Sequence, residues 1–198
     1  NPGTFQPEER ATECKEADPG YYVHLSGQSS QIPCPAGTYS NIFGSNSETN
    51  CLATPPGYFS LEGSSQITAC NQGSYQPNFS SEVCELASIG NFVIDFASDH
   101  QTPCPPGEYQ PDMGSTSCIP AEQGFFVELP GSPHTYPCPV GSSTPHNSSV
   151  SEQNCTVSAP GYFTLPDGSF SACQPGTFQP DLGMMECLPA NPGYFVEF

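Results

Sequence analysis

Cys173-Gln174-Pro175-Gly176-Thr177-Phe178-Gln179-Pro180 opens a stretch that closes at Cys187 and restarts at Pro192-Gly193-Tyr194-Phe195. It is a cysteine, a Pro-Gly turn, an aromatic two residues past the glycine, and a second cysteine. Almost all of the chain is a variant of it. Gly3, Gly20, Gly37, Gly57, Gly73, Gly90, Gly107, Gly124, Gly141, Gly161, Gly176 and Gly193 recur every 15 to 20 residues, most often 17. An aromatic stands two residues after each of these marker glycines, with Ser143 the one departure. Proline presets φ and glycine supplies φ > 0, so each Pro-Gly reads as a turn. The aromatic is the one large apolar group that each unit has to bury.

Two kinds of unit alternate. One is bracketed by cysteines: Cys34–Cys51, Cys70–Cys84, Cys104–Cys118, Cys138–Cys155 and Cys173–Cys187. The other reads Gly-aromatic-aromatic-x-Leu, as in Gly57 to Leu61, and runs through a turn to the next cysteine. Short β-prone runs around Glu62-Gly63, Pro130-Gly131 and Asp167-Gly168 predict a β-hairpin in this second kind. A shift of 104 residues lays Cys14 on Cys118, Cys34 on Cys138 and Cys51 on Cys155. The expected organisation is two super-repeats, 1–104 and 105–198, each of three cysteine loops and three hairpin units. The opening N-P-G-T-F-Q-P matches Q-P-G-T-F-Q-P after Cys173. A cysteine is therefore expected before Asn1, in a longer tandem protein of which this is a window.

Only 35% of the residues are hydrophobic, there is no tryptophan, and 24 prolines accompany 19 glycines. No window carries an amphipathic helical pattern, and no apolar run is long enough to span a membrane. Eleven cysteines in so core-poor a chain point to an oxidising, extracellular or cell-surface setting. Neighbour pairing closes loops of 14 or 17 residues and leaves Cys14 for a partner upstream. The other register, Cys14–Cys34 through Cys155–Cys173 with Cys187 left over, has more uniform spans, and spacing alone leaves both open. A closed loop of this size removes about 3 kcal/mol of unfolded-chain entropy.

Two basic residues, Arg10 and Lys15, face twenty acidic ones, for a net charge of −18. Such a chain repels nucleic acid and anionic membrane surfaces. The acids are dispersed and form no EF-hand-like loop, so no metal site is expected. His24, His100, His134 and His146 share no offset, no C-x-x-C step is present, and Asp99-His100 lacks a nucleophile motif. Neither a catalytic site nor a cofactor is expected. Three N-glycosylation sequons, at Asn78, Asn147 and Asn154, all fall within cysteine loops. In the third, Cys155 is the middle residue.

The loops C-PAGTYS…C, C-PPGEYQPDMGSTS-C and C-QPGTFQPDLGMME-C resemble the first loop of tumour necrosis factor receptor cysteine-rich modules. They resemble still more the ephrin-receptor-like repeats of large extracellular proteins, mastigoneme-like proteins among them. The likeness recurs along the whole chain. Where that family continues with further cysteines, this chain has Ile119-Pro120-Ala121 and Leu188-Pro189-Ala190. The resemblance implies an elongated rod of stacked β-turn modules, each touching mainly the next.

The expected fold is thus small, disulfide-rich and mostly β: a rod of tandem turn and hairpin modules without a globular core. The expected function is structural, a segment of an extracellular fibre, appendage or stalk that associates with itself and carries N-linked glycans. The alternative is a receptor or adhesin ectodomain that binds a protein ligand. A non-repeating apolar patch favours the receptor; apolar groups exposed at the period of the units favour the fibre. The doubled rings Tyr58-Phe59, Phe125-Phe126, Tyr162-Phe163 and Tyr194-Phe195 are expected to send one ring into the module core and one outward.

Overall fold

The computed structural model describes residues 1–196; the end of the expected second super-repeat, residues 197–198, lies outside the described residues. The chain is mostly β and almost without helix, a series of two-stranded antiparallel hairpins with strands of two or three residues. Two short 3₁₀ turns, Glu48–Asn50 and Glu152–Asn154, lie in the two longest cysteine loops. Ser47 and Ser151 cap them, each hydroxyl accepting an N–H two residues on. Among the described residues no globular core forms.

The hairpins fall into two compact units. The first comprises Asn1–Ala87, Val93–Gln101 and Gly114–Thr116; the second comprises Ser88–Phe92, Thr102–Met113 and the residues from Ser117 onwards. The first holds five hairpins, from Thr4–Phe5 against Lys15–Glu16 to Ser74–Tyr75 against Glu85–Leu86. The second holds six, from Asn91–Phe92 against Thr102–Pro103 to Thr177–Phe178 against Leu188–Pro189. The expectation of two kinds of unit is corrected here. The cysteine loops form the same hairpin as the others: Thr38–Tyr39 pairs with Leu52–Ala53 around the Cys34–Cys51 loop just as Tyr58–Phe59 pairs with Thr68–Ala69. There is one kind of module, with a disulfide in alternate copies.

Within each unit the modules are joined by a repeating set of backbone hydrogen bonds. In the first unit the N–H of Gly3 donates to the Val23 carbonyl at 2.7 Å, and Gly20, Gly37, Gly57 and Gly73 donate in the same way to Ser40, Ser60, Gln76 and Val93. In the second, Gly90, Gly107 and Gly161 donate to Gln110, Val127 and Gln179. At Gly124 the Thr144 hydroxyl oxygen accepts instead, at 2.9 Å. Each of these marker glycines thus spends its N–H on the module after its own. This is the nearest-neighbour contact rule of a repeat protein.

A second turn lies seven residues beyond most marker glycines. Its central residue is also left-handed: Gly27, Gly44, Gly63, Gly114, Gly131, Gly168 and Gly183 all have positive φ, as do Arg10, Ser80, Ala97 and Ser148. The N–H of this residue donates back to an earlier module, Gly44 to Ala17, Ser80 to Thr54 and Ala97 to Cys70 in the first unit, Gly131 to Cys104 and Ser148 to Ala121 in the second. Its carbonyl lies on the marker glycine two modules back. A Cβ on Gly37 would stand 2.0 Å from the Ser80 oxygen, closer than any side chain tolerates. The glycine period is therefore set by backbone pressed on backbone as well as by turn geometry.

What is buried is small. Three residues before the marker glycines stand Ala17, Cys34, Thr54, Cys70 and Ala87 in the first unit and Cys104, Ala121 and Ser158 in the second, all fully buried. Three residues after them lie buried Val, Ser, Thr or Gln, such as Val23, Ser40, Val127 and Thr144. Ser60 shares a hydrogen bond with Thr54 and donates to the Thr38 carbonyl, whereas the buried Thr164 hydroxyl has no partner among the described residues. The repeated aromatics do not fill this spine. Phe126, packed on its cross-strand partner Tyr136, is the one among them that is buried, and most of the others are half-buried. A two-residue strand leaves no enclosed face wide enough for a ring, so each ring lies along the module edge and shares itself with solvent.

Candidate functional site: the repeated turn tips

Five disulfides, Cys34–Cys51, Cys70–Cys84, Cys104–Cys118, Cys138–Cys155 and Cys173–Cys187, close the loops, with Cα atoms 5.7–5.8 Å apart. Cys14 is exposed and pairs with no other cysteine among the described residues. This density of bridges belongs to an oxidising environment. Among the described residues no helix is long and apolar enough to cross a membrane.

The 14-residue loops carry a clamp that sequence reasoning did not identify, although the recurring Gln-Pro was its signal. Gln76, Gln110 and Gln179 are each about 95% buried. Each side-chain amide donates across its loop, Gln110 to the Ser117 carbonyl at 2.7 Å. Each side-chain oxygen accepts the N–H two residues on, that of Asp112 at 3.0 Å in the same loop. The clamp repeats at Gln76, with Val83 and Asn78, and at Gln179, with Glu186 and Asp181. The proline that follows each glutamine fixes φ and removes a donor that would compete.

The clamp and the second turn present the same surface in module after module. The one or two residues just before each left-handed residue point away from the spine, and in most modules one of them is large and apolar. In the first unit these are Leu25, Phe43, Leu61, Phe79 and Phe96; in the second they are Met113, Leu129 and Leu182. Their exposure runs from 54% at Leu25 to 68% at Phe79. Large apolar groups outside the tips, such as Val83, Ile94 and Val140, are exposed as well. Of the doubled rings, Tyr58 and Phe125 are half-buried in their hairpins, and Tyr162, at 46%, is less exposed than any of the turn residues. Both rings of the last pair, Tyr194 and Phe195, face solvent.

Carboxylates flank the tips, as in Asp95-Phe96, Asp112-Met113, Asp181-Leu182, Leu61-Glu62 and Glu128-Leu129. Asp167 sits in the tip of its own hairpin, where the Ser169 hydroxyl and then the Ser169 N–H donate to it and hold its carboxyl below the usual range. The neighbouring His100 ring does the same for Asp99. That pair is exposed. In the hairpin of Tyr75, burial and then the facing Glu85 carboxylate push the phenol up. Among the described residues no group of three His, Cys, Asp or Glu side chains is placed to hold a metal ion.

Asn78, Asn147 and Asn154 are all exposed. The first two lie within the second turns of their modules, close to the left-handed residues Ser80 and Ser148, and Asn78 directly precedes the apolar tip Phe79. Asn154 ends the 3₁₀ turn Glu152–Asn154. Asn78 borders an open groove of about 330 Å³ and Asn147 one of about 290 Å³.

No family model and no curated protein matches the chain.

Proposed function

We propose that the chain is a segment of an extracellular or cell-surface structural repeat protein that associates with itself through its repeated turn tips and carries N-linked glycans at Asn78 and Asn147. The observation that carries this is the recurrence of a large exposed apolar residue before the left-handed turn at the module period. A monomeric surface scatters its apolar groups, whereas a filament contact repeats them in register. The internal likeness to ephrin-receptor-like repeats of large secreted proteins supports the same reading. Full burial of each such side chain is worth about 1.5–3 kcal/mol, so a few tips engaged together suffice to hold two copies. The dense carboxylates oppose the contact at low salt and keep single copies apart.

The test is sedimentation velocity of the disulfide-intact chain over a concentration series, beside a variant with Phe43→Ser, Phe96→Ser and Met113→Ser. Wild type forms larger species and the variant does not, while both keep their five disulfides and the same circular dichroism. Equal association of the two refutes the role of the tips. Association that appears only on adding a cationic protein supports the receptor or adhesin reading instead.

A further inference from the structure

We propose that the first sugar of an N-linked glycan, at Asn78 and again at Asn147, is seated in a polar groove that the fold builds beside each sequon. The inference rests on the reading that the chain passes through a eukaryotic secretory pathway, and it adds where the sugar goes. The Asn78 groove runs between Ala36 of one module and Ser80, Ser81, Glu82 and Glu85 of another. The Asn147 groove is formed by Glu122 and Gln123 of one module, Asn147 itself, and Asp167 and Ser169 of a third. Both are shallow and open to solvent, so they can cover one face of a single sugar and not enclose it.

The two grooves share a chemistry. Carboxylates, Glu82 and Glu85 in one and Glu122 and Asp167 in the other, accept hydrogen bonds from sugar hydroxyls and from the N–H of an N-acetyl group. Serine hydroxyls, Ser81 and Ser169, stand beside them. Neither groove offers the apolar lining of a lipid or drug site, and an acidic rim repels anions. A neutral, polyhydroxylated ring tethered at the rim fits both. The tether matters: linkage through Asn78 or Asn147 makes the contact intramolecular, so even a weak site is filled. Each groove draws on more than one module, so an occupied groove ties modules of its own unit together. Asn154 lines neither groove, and a sugar there gains no such contact.

The experiment uses the whole chain secreted from a eukaryotic host restricted to high-mannose glycans. Mass spectrometry first reads occupancy at Asn78 and Asn147; bare asparagines at both overturn the glycan reading and this proposal with it. The occupied protein is then compared intact, trimmed by an endoglycosidase to one N-acetylglucosamine, and stripped completely by an amidase. The trimmed protein is expected to melt with the intact one, and the stripped protein about 2–4 °C lower. The amidase leaves aspartate at each site, so Asn78→Asp with Asn147→Asp is expected to match the stripped protein, and Asn154→Gln to match the intact one. A trimmed protein that melts with the stripped form overturns the seat while leaving glycosylation standing. So does a double variant as stable as the intact protein.

Discussion

Gly90 faces the carbonyl of Gly131, and a Cβ built on Gly90 would stand 1.9 Å from that oxygen. The same approach recurs between Gly37 and Ser80 and between Gly73 and Gly114. It explains why a turn that other residues tolerate is glycine so regularly: the second turn of a later module sits where a side chain would be.

Gly90→Ala is therefore expected to destabilise its modules by more than the about 1–2 kcal/mol that a left-handed backbone alone costs an alanine. Gly161 has a similar φ of +84° with no atom within 4 Å of its Cβ position, so Gly161→Ala isolates the backbone cost. Chemical denaturation of the two variants reads the difference. Equal losses would show that close approach contributes nothing.

Ala97 occupies a second-turn position where most modules have glycine, at φ 54°. Ala97→Gly relieves the left-handed strain and loosens the unfolded chain, and the first effect is the larger. The expected outcome is a gain of a few tenths to about 1 kcal/mol, read as a higher denaturation midpoint with an unchanged slope. A loss of stability there would mean that the Ala97 methyl packs more than it strains.

Much of this was legible in the sequence. The glycine period, the hairpins and the small core follow from Pro-Gly turns and from the scarcity of large apolar residues. The second set of glycines, seven residues past the first, was also in plain view at Gly44, Gly114, Gly131 and Gly183. Its period is broken by Arg10, Ser80, Ala97 and Ser148, which adopt the same conformation without being glycine, so a search for identity alone passes over it. The aromatic positions misled for a physical reason. A ring is the obvious core group in isolation, but stacked modules whose backbones touch leave room for Ala, Cys, Ser and Val. The rings are left at the edges, and the outward apolar role goes to the turn tips, which have no strand alternation to reveal them.

The glutamine clamp predicts a large effect from a polar residue. Gln110→Ala removes two part-buried hydrogen bonds, to the Ser117 carbonyl and from the Asp112 N–H, at a cost of about 1–3 kcal/mol. Limited proteolysis should open the Cys104–Cys118 loop first, with both cysteines still bonded. Resistance equal to wild type would reduce the clamp to a surface contact.

The Asp167 turn has a pH signature. Its carboxyl is held below the usual range by Ser169, so its contribution to the hairpin is present above the ordinary carboxylate pKa. That contribution is lost as pH falls through the lowered, folded-state value. Side-chain NMR titration should show the lowered value, and Ser169→Ala should return it toward 3.8. An unchanged titration in that variant would assign the effect to something other than the Ser169 hydroxyl.

Salt separates the two ways such an acidic surface can bind. Contact between apolar tips flanked by like charges strengthens as salt is added, because the Debye length falls to about 10 Å at 0.1 M. Attraction of a cationic partner weakens under the same change. Sedimentation equilibrium in rising sodium chloride is expected to show tighter self-association. A steady weakening would place the acidic groups, and not the tips, at the contact.

Hydroxyl-radical footprinting tests the turn tips most directly, since it labels exposed aromatic and sulfur side chains in place. Labelling is carried out on dilute chain and on chain concentrated enough to associate. The account predicts that Phe43, Phe96 and Met113 lose much of their labelling on association, while Tyr162, exposed on a hairpin strand away from the tips, keeps its own. Assembly with the three tip residues labelled as in the dilute chain, or with protection confined to Tyr162, would contradict it.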